Sequence, residues 1–163
     1  MHPYNYTQTY RFGELLTQNP DSFSETVSVA GRIVSIRPHG KVTFLTLKDE
    51  SGEMQILIRA EEHAETFELL KYVDPGDHFG VVGTLVRTKT EQLSIQAKQF
   101  TVLSKSIRPI PNSWQSIEDH DVRYRKRYLD MLINPKVKSV LDARWKIIRE
   151  TRRFLEDTHH FTE

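Results

Sequence analysis

Hydrophobic and polar positions along the chain change period several times, and each period predicts a different element. Residues 1–25 mix aromatics with Asn, Gln, Thr and Ser, and Phe12-Gly13-Glu14-Leu15-Leu16 reads as a short helix that Asn19-Pro20-Asp21 breaks. From Thr26 the period becomes two. Thr26–Arg37 is rich in β-branched residues, with Val27, Val29 and Ile33 on one face. A turn at His39-Gly40-Lys41 leads to a second strand, Val42–Lys48, and Asp49-Glu50-Ser51-Gly52 turns the chain into a third, Glu53–Arg59. Three such segments with short glycine-containing turns predict an antiparallel meander.

Over Ala60–Val73 the spacing becomes helical, with Ala64, Phe67, Leu70 and Leu69 on one stripe. Asp74-Pro75-Gly76-Asp77 stops it, and two more strands follow, His78–Thr88 and Gln92–Ser104, joined through Lys89-Thr90-Glu91. Three strands, a helix and two strands is the order of the OB-fold barrel; an SH3-like barrel lacks the helix. Ser104–Gln115 carries prolines in alternation and no period, which predicts an extended linker. A helix is expected from about Ser116, with Asp119 completing a capping-box-like pair. A second is expected from Asn134-Pro135, Asn134 as N-cap and Pro135 in the first helical position. Val137, Val140, Leu141, Ile148, Thr151 and Leu155 recur along it at three- and four-residue spacing, to about His159. The predicted fold is mainly β with helices: a leading segment over 1–25, a five-stranded OB barrel over 26–104, a linker over 105–115 and helices over 116–163.

Composition supports a packed protein, with 37% hydrophobic and 28% charged residues among 163. No run of about 18 apolar residues is present, so no membrane-spanning helix is expected, and the first residues lack the pattern of a signal peptide. The absence of cysteine excludes disulfides and thiolate metal sites and fits a reducing, cytoplasmic setting. Net charge is +1, but residues 1–104 carry −3 and residues 105–163 carry +4. Such a basic half suits either nucleic acid or a solvated helical face. His2, His39, His63, His78 and His120 are scattered without ligand spacing and read as surface histidines, and His159-His160 lacks a partner, so no metal site is expected. Glu61, Glu62, Glu65 and Glu68 read as the solvated face of the predicted helix.

Candidate chemistry lies on the outer face of the barrel. In the second strand Leu45 and Leu47 point inward, which turns Phe44 outward beside Val42 and Thr46. In the third, Met54, Ile56 and Ile58 form the interior set and leave Gln55, Leu57 and Arg59 outside. An exposed aromatic beside an exposed amide suits unpaired bases: the ring stacks, the amide reads a base edge. Arg37, near the end of the first strand, suits a phosphate or a base carbonyl. The competing reading covers Phe44 with the Tyr4/Tyr6/Tyr10 region and makes Gln55 an ordinary surface residue; OB barrels also bind sugars and proteins.

Several segments resemble one family, the class II lysyl-tRNA synthetases. Val29-Ala30-Gly31-Arg32-Ile33, Arg37, Phe44, Asp49–Gln55 and Lys89-Thr90 through Leu93-Ser94-Ile95 look like its anticodon-binding OB domain. Arg108-Pro109-Ile110-Pro111 looks like its linker, and Arg123-Tyr124-Arg125-Lys126-Arg127-Tyr128-Leu129-Asp130 is the sharpest match. The resemblance implies that Phe44 stacks on the central anticodon uridine, that Gln55 hydrogen-bonds it and that Arg37 joins them. It implies a fourth contact from the loop between the last two strands. There the family reads Thr-Gly-Glu-Leu and this chain reads Thr90-Glu91-Gln92-Leu93, so Gln92 stands where the charged contact is expected and Glu91 where the glycine is. Arg123, Arg125 and Arg127 have two readings, packing between domains or contact with RNA phosphates.

The helices after the linker resemble the entry to the synthetase catalytic domain, and the long one resembles motif 1, which builds a dimer interface. His160 stands where that motif carries glycine. The resemblance implies a tRNA partner, a homodimeric cytoplasmic parent enzyme using ATP and magnesium, and no cofactor for this chain. Motifs 2 and 3 are absent from the 163 residues, so the chain alone is expected to be inactive. The alternative is a freestanding OB module for single-stranded nucleic acid or for protein interaction.

Overall fold

The computed structural model describes residues 3, 5–20, 23–88, 90–108, 110 and 119–163. It divides into two compact units, Met1–Pro109 and Ile110–Glu163. In the first, five strands, β1 (Thr26–His39), β2 (Val42–Lys48), β3 (Glu53–Arg59), β4 (His78–Arg87) and β5 (Leu93–Ser104), close into a ring ordered β1-β2-β3-β5-β4. The β1-β2-β3 meander is antiparallel as predicted, and β3 meets β5 in parallel. Alternation fills the interior with Val27, Val29, Ile33, Leu45, Leu47, Met54, Ile56, Ile58, Val81, Leu85 and Ile95, all buried.

The strand pattern was legible because each strand carries one dry face; the helical pattern between β3 and β4 was not. Ala60–Glu62 and Phe67–Tyr72 are two short 3-10 segments instead of one amphipathic helix. Phe67, Leu70 and Val73 pack on the core, whereas Leu69 is half exposed and Ala64 exposed. The break is at His63. Predicted as a surface residue, it is buried, and its Nε2–H donates to the Ala97 carbonyl at 2.9 Å while its ring meets Phe100 edge-on. That anchor ties the segment to β5 and is incompatible with a continuous helical face.

One end of the ring is closed by α1 (Phe12–Leu15), whose Phe12 and Leu15 are fully buried. The turn after β2 holds it: the Asp49 carboxylate accepts from the Phe12 amide at 3.0 Å and from the Ser51 and Gly52 amides at 2.6 and 2.8 Å. Burial opposes ionisation of Asp49, but these amides and the Ser51 hydroxyl outweigh it and hold its pKa below the usual carboxylate range.

In the second unit, α2 (His120–Arg125), α3 (Arg127–Ile133) and α4 (Pro135–Arg153) follow one another, and α4 widens into a π-helical turn over Phe154–Thr158. The expected start at Ser116 lies outside the described residues; Asp119 is itself the N-cap of α2, accepting from the Asp121 and Val122 amides. Asn134 caps α4 through the Lys136 amide at 3.1 Å, with Pro135 in the first turn as expected. Among the described residues, no helix is long and apolar enough to cross a membrane.

Candidate nucleic-acid interface

Strict alternation from Val27 through Ile33 would point every odd residue of β1 inward, Arg37 included. A bulge at Val34 prevents this. The β1–β2 register pairs Ile33 with Leu47, skips Val34, then pairs Ser35 with Thr46, Ile36 with Leu45, Arg37 with Phe44 and His39 with Val42. One extra residue moves Ser35, Arg37 and His39 to the outer face beside Thr46, Phe44 and Val42, the kind of re-aiming that bulges provide near functional sites. A two-residue turn follows, with Gly40 in the left-handed region at φ +59°.

Across the sheet the outer side chains form rows. Arg37, Phe44, Leu57 and Gln96 occupy one, and Ser35, Thr46, Gln55 and Ser94 the next. The first row and Gln55 of the second line a cleft of about 710 Å³. Arg37, Phe44, Gln55 and Gln92, the four residues singled out by sequence, all line it. The segment proposed to cover Phe44 packs elsewhere: the Tyr6 ring lies against Gly80, and Tyr10 meets Phe23 and donates to Glu25. Tyr4 lies outside the described residues.

Gln55 departs from expectation in one respect. It faces the cleft but is only 7% exposed, and Leu57 only 6%. Gln55 lies between Thr46 of β2 and Ser94 of β5 and sits at the floor of the cleft instead of on open surface. The Gln55 Oε1 accepts a hydrogen bond from the fully buried Ser94 hydroxyl at 3.0 Å. Gln96 is held the other way, its Nε2 donating to Glu62 Oε1 at 2.6 Å.

The loop between β4 and β5 forms the wall that carries Gln92. Thr88 staples it: its amide donates to the Gln92 carbonyl at 3.0 Å and its hydroxyl accepts from the Gln92 amide at 3.2 Å. Arg87 donates to the Glu91 carbonyl at 3.3 Å. Sequence reasoning did not single out Arg59, Arg87, Gln96, Thr88 and Thr90, which also line the cleft. Strand parity already placed Arg59 outside; the others needed the register between β3 and β5, which no local pattern carries. With Arg37, Arg59 and Arg87 and no carboxylate among the lining residues, the cleft is cationic.

Arg123, Arg125 and Arg127 lie in the other unit and are engaged within it. Arg123 Nε is 3.3 Å from both oxygens of buried Asp130, Arg125 Nε is 2.7 Å from Asp121, and the Arg127 guanidinium lies 4.7 Å over the Tyr124 ring. Among the described residues, no group of His, Asp or Glu is arranged to hold a metal ion.

Residues 27–103 match the tRNA anti-codon family of OB-fold nucleic acid binding domains. This part of the chain is similar to the members of that family. The OB domain and the residues after it are similar to proteins named lysine–tRNA ligase. The relative from Moorella thermoacetica is 42% identical over 148 residues, 90% of this chain and 29% of its own length. That from Pelotomaculum thermopropionicum is 40% identical over 151 residues, 92% and 29%, and that from Syntrophomonas wolfei 42% over 142, 84% and 29%. The chain thus spans under a third of the length of these relatives. The cleft lies within the matched OB domain, on the strand-two and strand-three face that such barrels use for oligonucleotides.

Proposed function

We propose that the cleft binds the anticodon loop of a lysine tRNA and that the chain is the anticodon-recognition part of a lysine–tRNA ligase. The observation that carries this reading is the convergence of Phe44, Gln55, Arg37 and Gln92 on one cationic cleft in a domain of the tRNA anti-codon family. Phe44 supplies a flat ring on which an unpaired base stacks, Gln55 at the floor reads that base's edge, and Gln92 reaches from the loop wall. Arg37, directly across from Phe44 in the β1–β2 register, is placed to take a phosphate or base carbonyl next to the stacked base.

The same reading makes the longer enzyme a class II, homodimeric, cytoplasmic synthetase that joins lysine to tRNA through a lysyl-adenylate with ATP and magnesium. No step through ATP or magnesium is assigned to the residues of this chain. Its part is to bind and position the tRNA.

Titration of the 163-residue chain with a lysine-tRNA anticodon stem-loop at fixed salt tests the reading. Phe44→Ala is expected to weaken binding by about 1–3 kcal/mol. Binding unchanged by that truncation overturns it.

A further inference from the structure

The buried hydrogen bond from Ser94 to Gln55 determines what the reading amide can read. A glutamine amide presents a carbonyl oxygen or an NH2 group, and which one faces a ligand depends on what holds the other end. The Ser94 hydroxyl has one proton and two oxygens within reach, Gln55 Oε1 at 3.0 Å and the Gln92 carbonyl at 3.3 Å. The Gln92 carbonyl is already supplied by the Thr88 amide at 3.0 Å and lies 3.3 Å from the Thr88 hydroxyl. Gln55 Oε1 has no other donor among the described residues. The shorter bond and the greater need coincide, so the proton goes to Gln55. Its NH2 group is then the end left for the cleft.

We propose that Ser94 is a positioning residue for base identity: by occupying Oε1 of Gln55 it fixes the amide with its donor toward the ligand. The inference rests on the anticodon reading above and specifies the base. An N–H donor at the floor of the cleft pairs with a carbonyl on the stacked base, such as O4 of uracil, and is mismatched with the exocyclic amine that cytosine carries at the same place. Ser94 is fully buried and does not line the cleft, so it acts through Gln55 without touching RNA. It also sits beside the backbone of Gln92, which joins the floor of the cleft to its loop wall.

The test compares two lysine-anticodon stem-loops, identical except for uridine or cytidine at the central anticodon position, as ligands of the full chain. The original protein is expected to prefer uridine about tenfold or more. Ser94→Ala frees the amide to turn over and is expected to reduce that preference to about threefold or less, while Ser94→Thr, which keeps the hydroxyl, retains it. Equal weakening of both ligands by Ser94→Ala, with the ratio unchanged, overturns the proposal and makes Ser94 merely structural. Gln55→Glu supplies a second measurement that leaves Ser94 intact: it presents only acceptors and is expected to shift the preference toward cytidine. A preference for uridine kept in Gln55→Glu also overturns the proposal. Phe44→Ala separates the two levels. Loss of affinity for both ligands there, with a ratio insensitive to Ser94, removes the positioning role and leaves the anticodon reading standing; a Phe44→Ala chain that binds like the original removes both.

Discussion

Glu91 and His160 are the two non-glycine residues with positive φ among the described residues, at +60° and +58°. Both stand where the resembling family carries glycine. The backbone at both takes the left-handed conformation that favours glycine, where a Cβ costs about 1–2 kcal/mol. At Glu91 the conformation is enforced from both sides: its amide donates to the Thr88 carbonyl at 2.9 Å, and Arg87 holds its carbonyl. At His160 the amide donates to the Glu156 carbonyl at 3.1 Å, and that of Phe161 to the Leu155 carbonyl at 3.1 Å, closing the helix end as a left-handed residue at this position commonly does. Glu91→Gly is expected to stabilise the OB domain by about 0.5–1 kcal/mol, the relief of strain being partly offset by the greater freedom of glycine in the unfolded chain. Urea denaturation of the two proteins checks it; a less stable Glu91→Gly chain would show that the Glu91 side chain contributes contacts beyond its backbone role.

At the scale of elements, the piece between β3 and β4 and the exit from β5 are fastened by one carboxylate. Asp77 is fully buried and accepts from the Asp74 amide at 2.8 Å, Lys105 Nζ at 2.5 Å and the Ser106 amide at 2.7 Å. Burial opposes its ionisation, but the Asp74 amide, Lys105 and the Ser106 amide outweigh that and hold its pKa below the usual carboxylate value. A folded pKa below the unfolded one means that the clamp contributes in full above about pH 4, where both states are ionised, and is lost as pH falls through the folded value. Asp77→Asn is therefore expected to cost about 1–3 kcal/mol at pH 7, with the gap between the two proteins narrowing below pH 4. Urea midpoints measured at pH 7 and pH 3 decide the matter, and a constant gap would remove Asp77 from the acid response.

Elements of this kind also mark how far the sequence could be read. Strands with one dry face announced themselves, and so did the Asn134 cap, because each depends on residues close in sequence. The bulge at Val34 did not, since nothing local marks it; only pairing with β2 reveals that Arg37 faces out with Phe44. Arg37 entered the candidate set through the resemblance and its place at a strand end, not through its parity. Gln55 was placed on the correct face but at the wrong depth, because its depth goes with its partner Ser94 on β5, which no pattern local to β3 carries. His63 and Ser94 carry the same lesson, since their partners lie 34 and 39 residues away.

For the molecule as a whole, net charge is a poor guide to where cationic surface lies. Residues 1–104 sum to −3, yet the cleft they build is lined by Arg37, Arg59 and Arg87 without a lining carboxylate, with Arg59 paired to Glu62 at 4.0 Å. Residues 105–163 sum to +4, yet Arg123 and Arg125 are paired with Asp130 and Asp121, and Arg127 lies over Tyr124. Charge already engaged inside a unit releases few counterions on binding, whereas an arginine that meets a phosphate releases them, with a slope of about −0.7 in log K against log salt per single-strand contact. If Arg37 and Arg87 both meet phosphates, the slope is about −1.4, so raising salt from about 50 to about 200 mM weakens stem-loop binding by about 7-fold. Arg37→Ala is expected to lower that slope by about 0.7, and Arg125→Ala to leave it unchanged. Stem-loop titrations of the three proteins across that salt range provide the measurement. A slope that falls with Arg125→Ala and not with Arg37→Ala would move the phosphate contacts from the OB cleft to the helical unit.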